Sequence, residues 1–306
     1  MKKIVILKHG GGELANQLWN YLSIYAFGLE AKVLVKNPSF FEYHSFFKFL
    51  PNESLTTRLF SLFFQTPRRR SHIINQWGRA KYAFKSKVIA VINSRCVFSS
   101  ENTLNKATYL SPILPLVDRF ANCNTLYLCG WLFRNPAGLE KFRDKLYTAF
   151  APNYKIKKRL DTIITPLRTN YEKIIGIHIR QADYKIFKSG KFFVGQDRVR
   201  TIINEYIREQ SLDINKTLFL ITSDGSINET LYKDLNIYIS KENAVMDLFL
   251  LSQTDVILGS DSSFGSFASW YGNIPHIIFK NEAMDWQYYS DKTKFFENKY
   301  TALAQY

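Results

Sequence analysis

The amino-acid sequence predicts an α/β protein made of two Rossmann-like halves that face each other across a cleft. Three observations predict it. Short apolar runs alternate with amphipathic helical stretches, the pattern of parallel sheets covered by helices. The 306-residue length and 46% hydrophobic content are enough for two cores. A break at Pro152-Asn153 separates two such series, giving expected domains of residues 1–152 and 153–306, with the last helix packing back on the first domain.

Along the first half, Lys3 to Leu7 reads as a strand and Gly10-Gly11-Gly12 as a turn. Leu14 to Leu29 follows as a helix with Leu18, Tyr21, Leu22, Tyr25 and Ala26 on one stripe. Residues 40–85, rich in Phe and punctuated by Pro51 and Pro67, read as mainly helical. Short strands are expected at Val88 to Ile92 and Leu126 to Cys129, and breaks at Gly130-Trp131 and Asn135-Pro136 precede a helix from Gly138 to Ala149.

The second half opens with an amphipathic helix, Lys155 to Leu167. Strands follow at residues 174–180, 217–221, 236–239, 254–258 and 276–279, separated by helices near 197–209, 227–233, 243–252 and 264–271. This alternation is what a parallel sheet with crossover helices requires.

Composition narrows the function classes. The net charge of +15, from 41 Lys and Arg against 26 Asp and Glu, draws the chain toward polyanions or anionic lipid. The basic clusters Pro67-Arg-Arg-Arg70, Arg79 to Lys87 and Lys155 to Arg159 fit a solvated face or a membrane surface. None belongs to a nucleic-acid module, so nucleic acid is not an expected partner. No apolar run nears the roughly 20 residues needed to span a bilayer. The start, Met1 to Lys8, reads as a strand rather than a signal peptide. Cys96, Cys123 and Cys129 are odd in number and lack zinc-ligand spacing, so a reduced, cytoplasmic protein is expected, peripheral at most on the inner face of the membrane.

Ligands of open parallel sheets gather beyond the strand carboxyl ends. In Gly176-Ile-His178-Ile-Arg180-Gln-Ala-Asp183-Tyr184, strand spacing puts His178 and Arg180 on one face, and a guanidinium there suits an oxyanion. A core strand whose polar end reaches water fits the same residues. Gly10-Gly11-Gly12-Glu13-Leu-Ala-Asn16-Gln17 allows close backbone approach at a helix start, though it lacks dinucleotide-fingerprint spacing; a turn and cap is the plainer reading. Ile221-Thr222-Ser223-Asp224-Gly225 and Asp255 to Phe264, with Ser260, Ser262 and Ser263, end strands in hydroxyls and carboxylates that serve equally as helix caps or phosphate donors. Asp247, inside the apolar segment Val245 to Leu251, needs donors for its carboxylate; a guanine edge, a buried arginine or a backbone cap would each supply them.

Taken together and in order, these segments resemble the GDP-fucose-dependent fucosyltransferases with an H-x-R-R-x-D-Y type motif, most of all the bacterial α-1,2-fucosyltransferase group. Gly11-Gly12-Glu-Leu-Ala-Asn16-Gln17-Leu18-Trp19-Asn20-Tyr21 is similar to that group's opening motif, and Leu128-Cys-Gly130-Trp131 to its middle segment. Asp247 to Ile257, followed by Ser262-Ser263-Phe264, resembles a C-terminal motif shared with α-1,6- and protein O-fucosyltransferases.

The resemblance implies a GT-B arrangement with the donor held mainly by the second domain. It implies inversion by single displacement, with no cofactor and no metal. His178 and Asp247 would contact guanine, and Arg180 the β-phosphate. Ser262, Ser263 and Phe264 would meet the diphosphate or nucleoside, with Asp224 in a ribose or structural role. Gly12 and Asn16 would approach phosphate and sugar from the first domain. Asp183 and Glu13 are candidate general bases, and the departing phosphate is a third. The expected reaction moves L-fucose to a galactose 2-hydroxyl of a lipid-linked surface glycan, O-antigen or capsule. Another GDP- or dTDP-6-deoxysugar donor, or a non-catalytic polyanion binder on the same scaffold, are the alternatives. Gln181 stands where the family has a second arginine, which leaves a phosphate or structural contact to be supplied elsewhere.

Overall fold

The computed structural model describes residues 2–7, 13–40, 42–48, 97–99, 107–110, 124–130 and 132–290, with Ala80, Phe84 and Val88. The chain divides into two compact units between Lys157 and Lys158.

In the first unit, β1 (Lys3–Leu7), β2 (Leu34–Lys36), β3 (Val97–Ser99) and β5 (Thr125–Cys129) form a parallel sheet in the order β2-β1-β5-β3. A second, two-stranded parallel pair joins β4 (Thr108–Tyr109) to β6 (Phe133–Arg134). Helix α1 (Leu14–Ala31) buries Leu18, Trp19, Leu22 and Phe27 almost completely. At its end Lys32 adopts a left-handed conformation and its N–H caps the Gly28 carbonyl. A side chain at Gly28 would run into Val35, at 2.2 Å, so this glycine lets the chain turn straight back into β2. Asn20 fastens α1 to the β5–β6 turn: its amide donates to the Gly130 carbonyl and its oxygen accepts from the Phe133 N–H.

The helix expected from Gly138 begins earlier and breaks once, as α2 (Pro136–Lys141) and α3 (Arg143–Ala149). Asn135-Pro136, expected as a break, is instead the N-cap and first helical residue, with the Asn135 side chain accepting from the Gly138 N–H. Val88, the described residue of the strand expected at 88–92, is helical. The helical reading of residues 40–85 falls largely outside the described residues, as does the chain end expected to pack back on the first domain; of the described part, His44–Phe46 is a 3₁₀ turn while Ala80 and Phe84 are helical. Helix α4 (Tyr154–Asn170) runs across the division between the units and includes Pro166.

The second unit is a five-stranded parallel sheet of β7 (Lys173–Ile179), β8 (Thr217–Ser223), β9 (Asn236–Ile239), β10 (Val256–Gly259) and β11 (His276–Ile278), in the order β11-β10-β7-β8-β9. Helices α5 (Gln196–Glu209), α6 (Ala244–Leu251), α7 (Ser263–Gly272) and α8 (Trp286–Ser290) lie among them in sequence. Central β7 and β8 are buried on both faces, which is why they read as nearly continuous apolar runs. Helix α5 buries Val199, Ile202, Ile203 and Tyr206, one stripe of the helical period, into the same core as Ile175, Ile177, Phe219 and Ile221. Each such side chain contributes about 1.5–3 kcal/mol on burial.

The helix expected at 227–233 is only a 3₁₀ turn, Glu229–Tyr232, capped by Asn228. Among the described residues no helix is long and apolar enough to cross a membrane.

Candidate functional site

From β7 the chain steps outward to β8 and β9, then returns to the other side of β7 for β10 and β11. The direction of winding therefore reverses between β7 and β10. In open parallel sheets that reversal opens a crevice at the carboxyl ends of the two strands. His178 and Arg180 stand at the end of β7, and Ser260 to Phe264 at the end of β10.

The local fit depends on two glycines. Gly259 lies opposite His178 in the ladder, and a Cβ there would sit 3.2 Å from both the His178 Cβ and the His276 Nε2. In the first turn of α7, a Cβ on Gly265 would come within 2.8 Å of His276 Nε2. These absences let the helix start close on the strands, bringing Phe264 over the His178 ring at 4.9 Å between centroids and 25° between planes.

His178 is buried, with Nδ1 3.3 Å from the Thr222 hydroxyl and Nε2 without a hydrogen-bond partner among the described residues. Burial, then the Arg180 charge and His276, push its pKa down to about 3. The imidazole is neutral at physiological pH and offers one donor and one acceptor. An orphaned buried nitrogen costs about 1–3 kcal/mol unless a ligand answers it.

Arg180 sits one residue beyond the strand, its N–H donating to the Ser260 hydroxyl at 2.9 Å. Its guanidinium donates to Asp183 from Nε at 2.8 Å and Nη2 at 3.0 Å, with Asp224 Oδ2 3.1 Å from Nε. Burial opposes the charge, but the two carboxylates outweigh it and hold the pKa above the ordinary arginine value. Nη1 has no hydrogen bond among the described residues. Tyr184 lies beneath, its ring 5.7 Å from the guanidinium carbon and its hydroxyl donating to the Asp261 carbonyl at 2.7 Å.

Asp224 also accepts the backbone N–H groups of Gln181 at 2.6 Å and Ala182 at 3.2 Å, so it braces both the loop and the guanidinium. Gln181 turns inward. Its amide donates to the Ser223 hydroxyl and the Ser226 carbonyl, and its oxygen accepts from Gln196. Gln181 is thus a lock between the loops after β7 and β8.

Ser262 is the N-cap of α7, accepting from the Gly265 N–H at 3.4 Å; Ser263 and Phe264 form the first turn. The remaining N–H groups of that turn face the crevice end of the sheet, where a helix dipole favours an anion. Asp247 lies in the first turn of α6, buried, and accepts a hydrogen bond from Ser240 just past β9. In the first unit Asn16 lies in the first turn of α1, with its side-chain oxygen buried and without a hydrogen bond among the described residues, while Glu13 is the N-cap and accepts from the Tyr43 hydroxyl. Gly12 lies outside the described residues. Among them no three His, Cys, Asp or Glu side chains gather as metal ligands.

The second unit therefore brings His178, Arg180, Asp183, Asp224, Ser262, Ser263 and Phe264 to the ends of adjacent elements. Sequence reasoning quoted Thr222 and Tyr184 within these segments but gave them no role of their own, and it did not single out Ser240 or His276. Thr222 was within reach, since strand register sets it opposite His178. The Ser240–Asp247 contact and the burial of His276 depend on packing that no local pattern reports.

No protein-family model and no curated protein sequence matches the chain. Solved structures do. A mutant of Arabidopsis thaliana FUT1 in complex with GDP superposes with TM-score 0.55 at 15% identity, covering 92% of this chain and 71% of that one. NodZ α-1,6-fucosyltransferase co-crystallised with GDP gives 0.51 at 16% identity, covering 92% and 96%. POFUT1 in complex with GDP-fucose gives 0.51 at 11%, covering 92% and 98%. The chain has a GT-B fold. The five-stranded sheet is the second of the two Rossmann-like domains of this GT-B chain.

Proposed function

We propose that this protein is an inverting fucosyltransferase that moves L-fucose from GDP-fucose to a glycan hydroxyl, and that the galactose 2-hydroxyl of a lipid-linked bacterial surface glycan is the acceptor. One observation carries the reading: Arg180, the start of α7 and the buried, hydrogen-bond-poor His178 converge at the winding reversal of a GT-B second domain. The neighbours crystallised with GDP or GDP-fucose share this fold and support the choice of donor.

In this reading the β-phosphate meets Nη1 of Arg180 and the N–H groups of α7, with Ser262 and Ser263 beside it. Guanine lies toward His178 and Asp247. The acceptor oxygen attacks the sugar C1 as the bond from C1 to the β-phosphate oxygen breaks. Negative charge then grows on the phosphate, and a fixed guanidinium stabilises that state more than the ground state. The acceptor proton goes to Asp183 or to the leaving phosphate. No divalent cation is required, because Arg180 and the helix take the charge.

Melting temperature tests the donor first. GDP should raise it and UDP should not, with or without EDTA. Donor hydrolysis across GDP- and dTDP-sugars then tests the sugar. Equal stabilisation by UDP and GDP would remove the guanine assignment.

A further inference from the structure

The loop that leaves the anion site carries a surface that donor chemistry does not use. Between Asp183 and Gly195 the chain reads Tyr184-Lys-Ile-Phe-Lys-Ser-Gly-Lys-Phe-Phe-Val194, three lysines among five aromatic or branched apolar residues other than Val194, and no acid. Tyr184 and Phe187 stack at 5.9 Å and 19°, and Phe192 closes the group at 6.1 Å from Tyr184 and 6.0 Å from Phe187. The group is anchored. Tyr184 is held by the Asp261 carbonyl, Ile186 and Phe187 N–H groups both donate to the Asp183 carbonyl, and Val194 is buried in the core.

On this fixed base Ile186 is 81% exposed and Phe187 37% exposed, side by side at the tip. Lone exposed apolar residues are ordinary, but a braced pair is not. The lysines form a rim: Lys185 Nζ lies 5.8 Å from the Phe193 ring, and Lys191 Nζ 5.7 Å from the Phe192 ring. Both lysines are exposed, and long basic side chains can bury an aliphatic stem and keep the charge in water at a lipid boundary. Of the neighbouring acids among the described residues, Asp183 is paired with Arg180, and Asp261 is partly buried and faces the charge of Lys191.

We infer that the tip at Ile186 and Phe187 inserts into an anionic lipid surface, with Lys185 and Lys191 on the headgroups. An apolar tip flanked by lysines, in a segment with no acid between residues 184 and 194, matches such a surface in both charge and polarity. The net charge of +15 adds long-range attraction. Because Tyr184 touches both the tip and Arg180, docking would set the anion site at a fixed depth above the headgroups. The inference stands on this surface alone and does not depend on the donor.

The test is co-flotation of the full chain with phosphatidylcholine vesicles, with and without phosphatidylserine. Binding is expected to the phosphatidylserine vesicles and to weaken with salt. Ile186→Glu, at an exposed position with little to disturb in folding, is expected to lower partitioning roughly tenfold. Lys185→Glu with Lys191→Glu is expected to lower it more than fivefold per site, about the worth of one lysine near an anionic surface. A urea-unfolding midpoint unchanged from the wild type in each variant would show that the fold is intact. Wild-type protein that stays with the buffer, or Ile186→Glu that floats as the wild type does, overturns the inference. Binding that survives in pure phosphatidylcholine also overturns it, as does capture of the variant by soluble polyanion with equal strength.

Discussion

Asp183 presents its two carboxylate oxygens to Arg180 at 2.8 and 3.0 Å, the bidentate geometry a phosphate would use. With the β-phosphate at Nη1, Asp183 offsets part of the guanidinium charge and repels the diphosphate, so it opposes donor binding. The pair is partly solvated, with side-chain exposures of 25% for Arg180 and 52% for Asp183, so its worth is that of a screened surface bridge, about 1 kcal/mol. Asp183→Asn should remove the competing charge and tighten GDP about fivefold. Titration calorimetry with GDP at low and moderate salt measures this, and the gain should shrink as salt screens the pair. Asp224 still braces Arg180 from the other side at 3.1 Å, so the guanidinium keeps its place in the variant. Weaker GDP binding in Asp183→Asn would refute the reasoning and make Asp183 a positioning residue for Arg180. Tighter GDP with slower fucose transfer would assign it the proton as well.

Further outcomes follow from the same geometry. Arg180→Ala should cut transfer from GDP-fucose by about 10²–10³-fold, as loss of a transition-state donor does, and steady-state kinetics should show the loss in kcat as well as kcat/KM. Gly265→Ala places a Cβ 2.8 Å from His276 Nε2 and should cost about 1–3 kcal/mol in urea unfolding, with a reduced GDP melting shift. Burial holds His178 at about 3 and His276 at about 4, both below the unfolded value near 6.5. Above pH 6.5 neither state binds these protons and stability is full; as pH falls only the unfolded chain takes them up, so stability declines toward the folded values. Between pH 6.5 and 5 each histidine should cost about 2 kcal/mol, and a urea midpoint unchanged over that interval would count against two buried neutral imidazoles.

Much of this site could be read in the chain itself because strand and helix ends announce themselves locally. His178 and Arg180 share a parity at the end of a long apolar strand, and Ser262 stands where a cap belongs before Phe264. Strands of two or three residues, such as Leu34–Lys36 and Phe133–Arg134, carry too little alternation to be seen. The segment 227–233 has the composition of a helix but lacks the length to propagate one, and it settles for a single 3₁₀ turn. What Asp247 bonds to was beyond local reading. Its partner, Ser240, lies seven residues earlier, across the turn from β9 into α6, and only the packed turn brings the two together.

The inward Gln181 has a consequence for how this position can change. Its side chain fills the space above Gly225, where a Cβ would stand 3.0 Å from both its Cβ and its Nε2. Its amide is matched to Ser223, Ser226 and Gln196, and Gln196 in turn holds the Asn228 N–H. Positions 181, 196, 223 and 225 are therefore coupled: an arginine introduced at 181 alone would set a donor against Gln196 Nε2, which needs the acceptor that Gln181 supplies. Chains of this fold that carry a second arginine here are expected to differ at 196 or 225 too, and the pairing would surface as covariation once such sequences are set side by side.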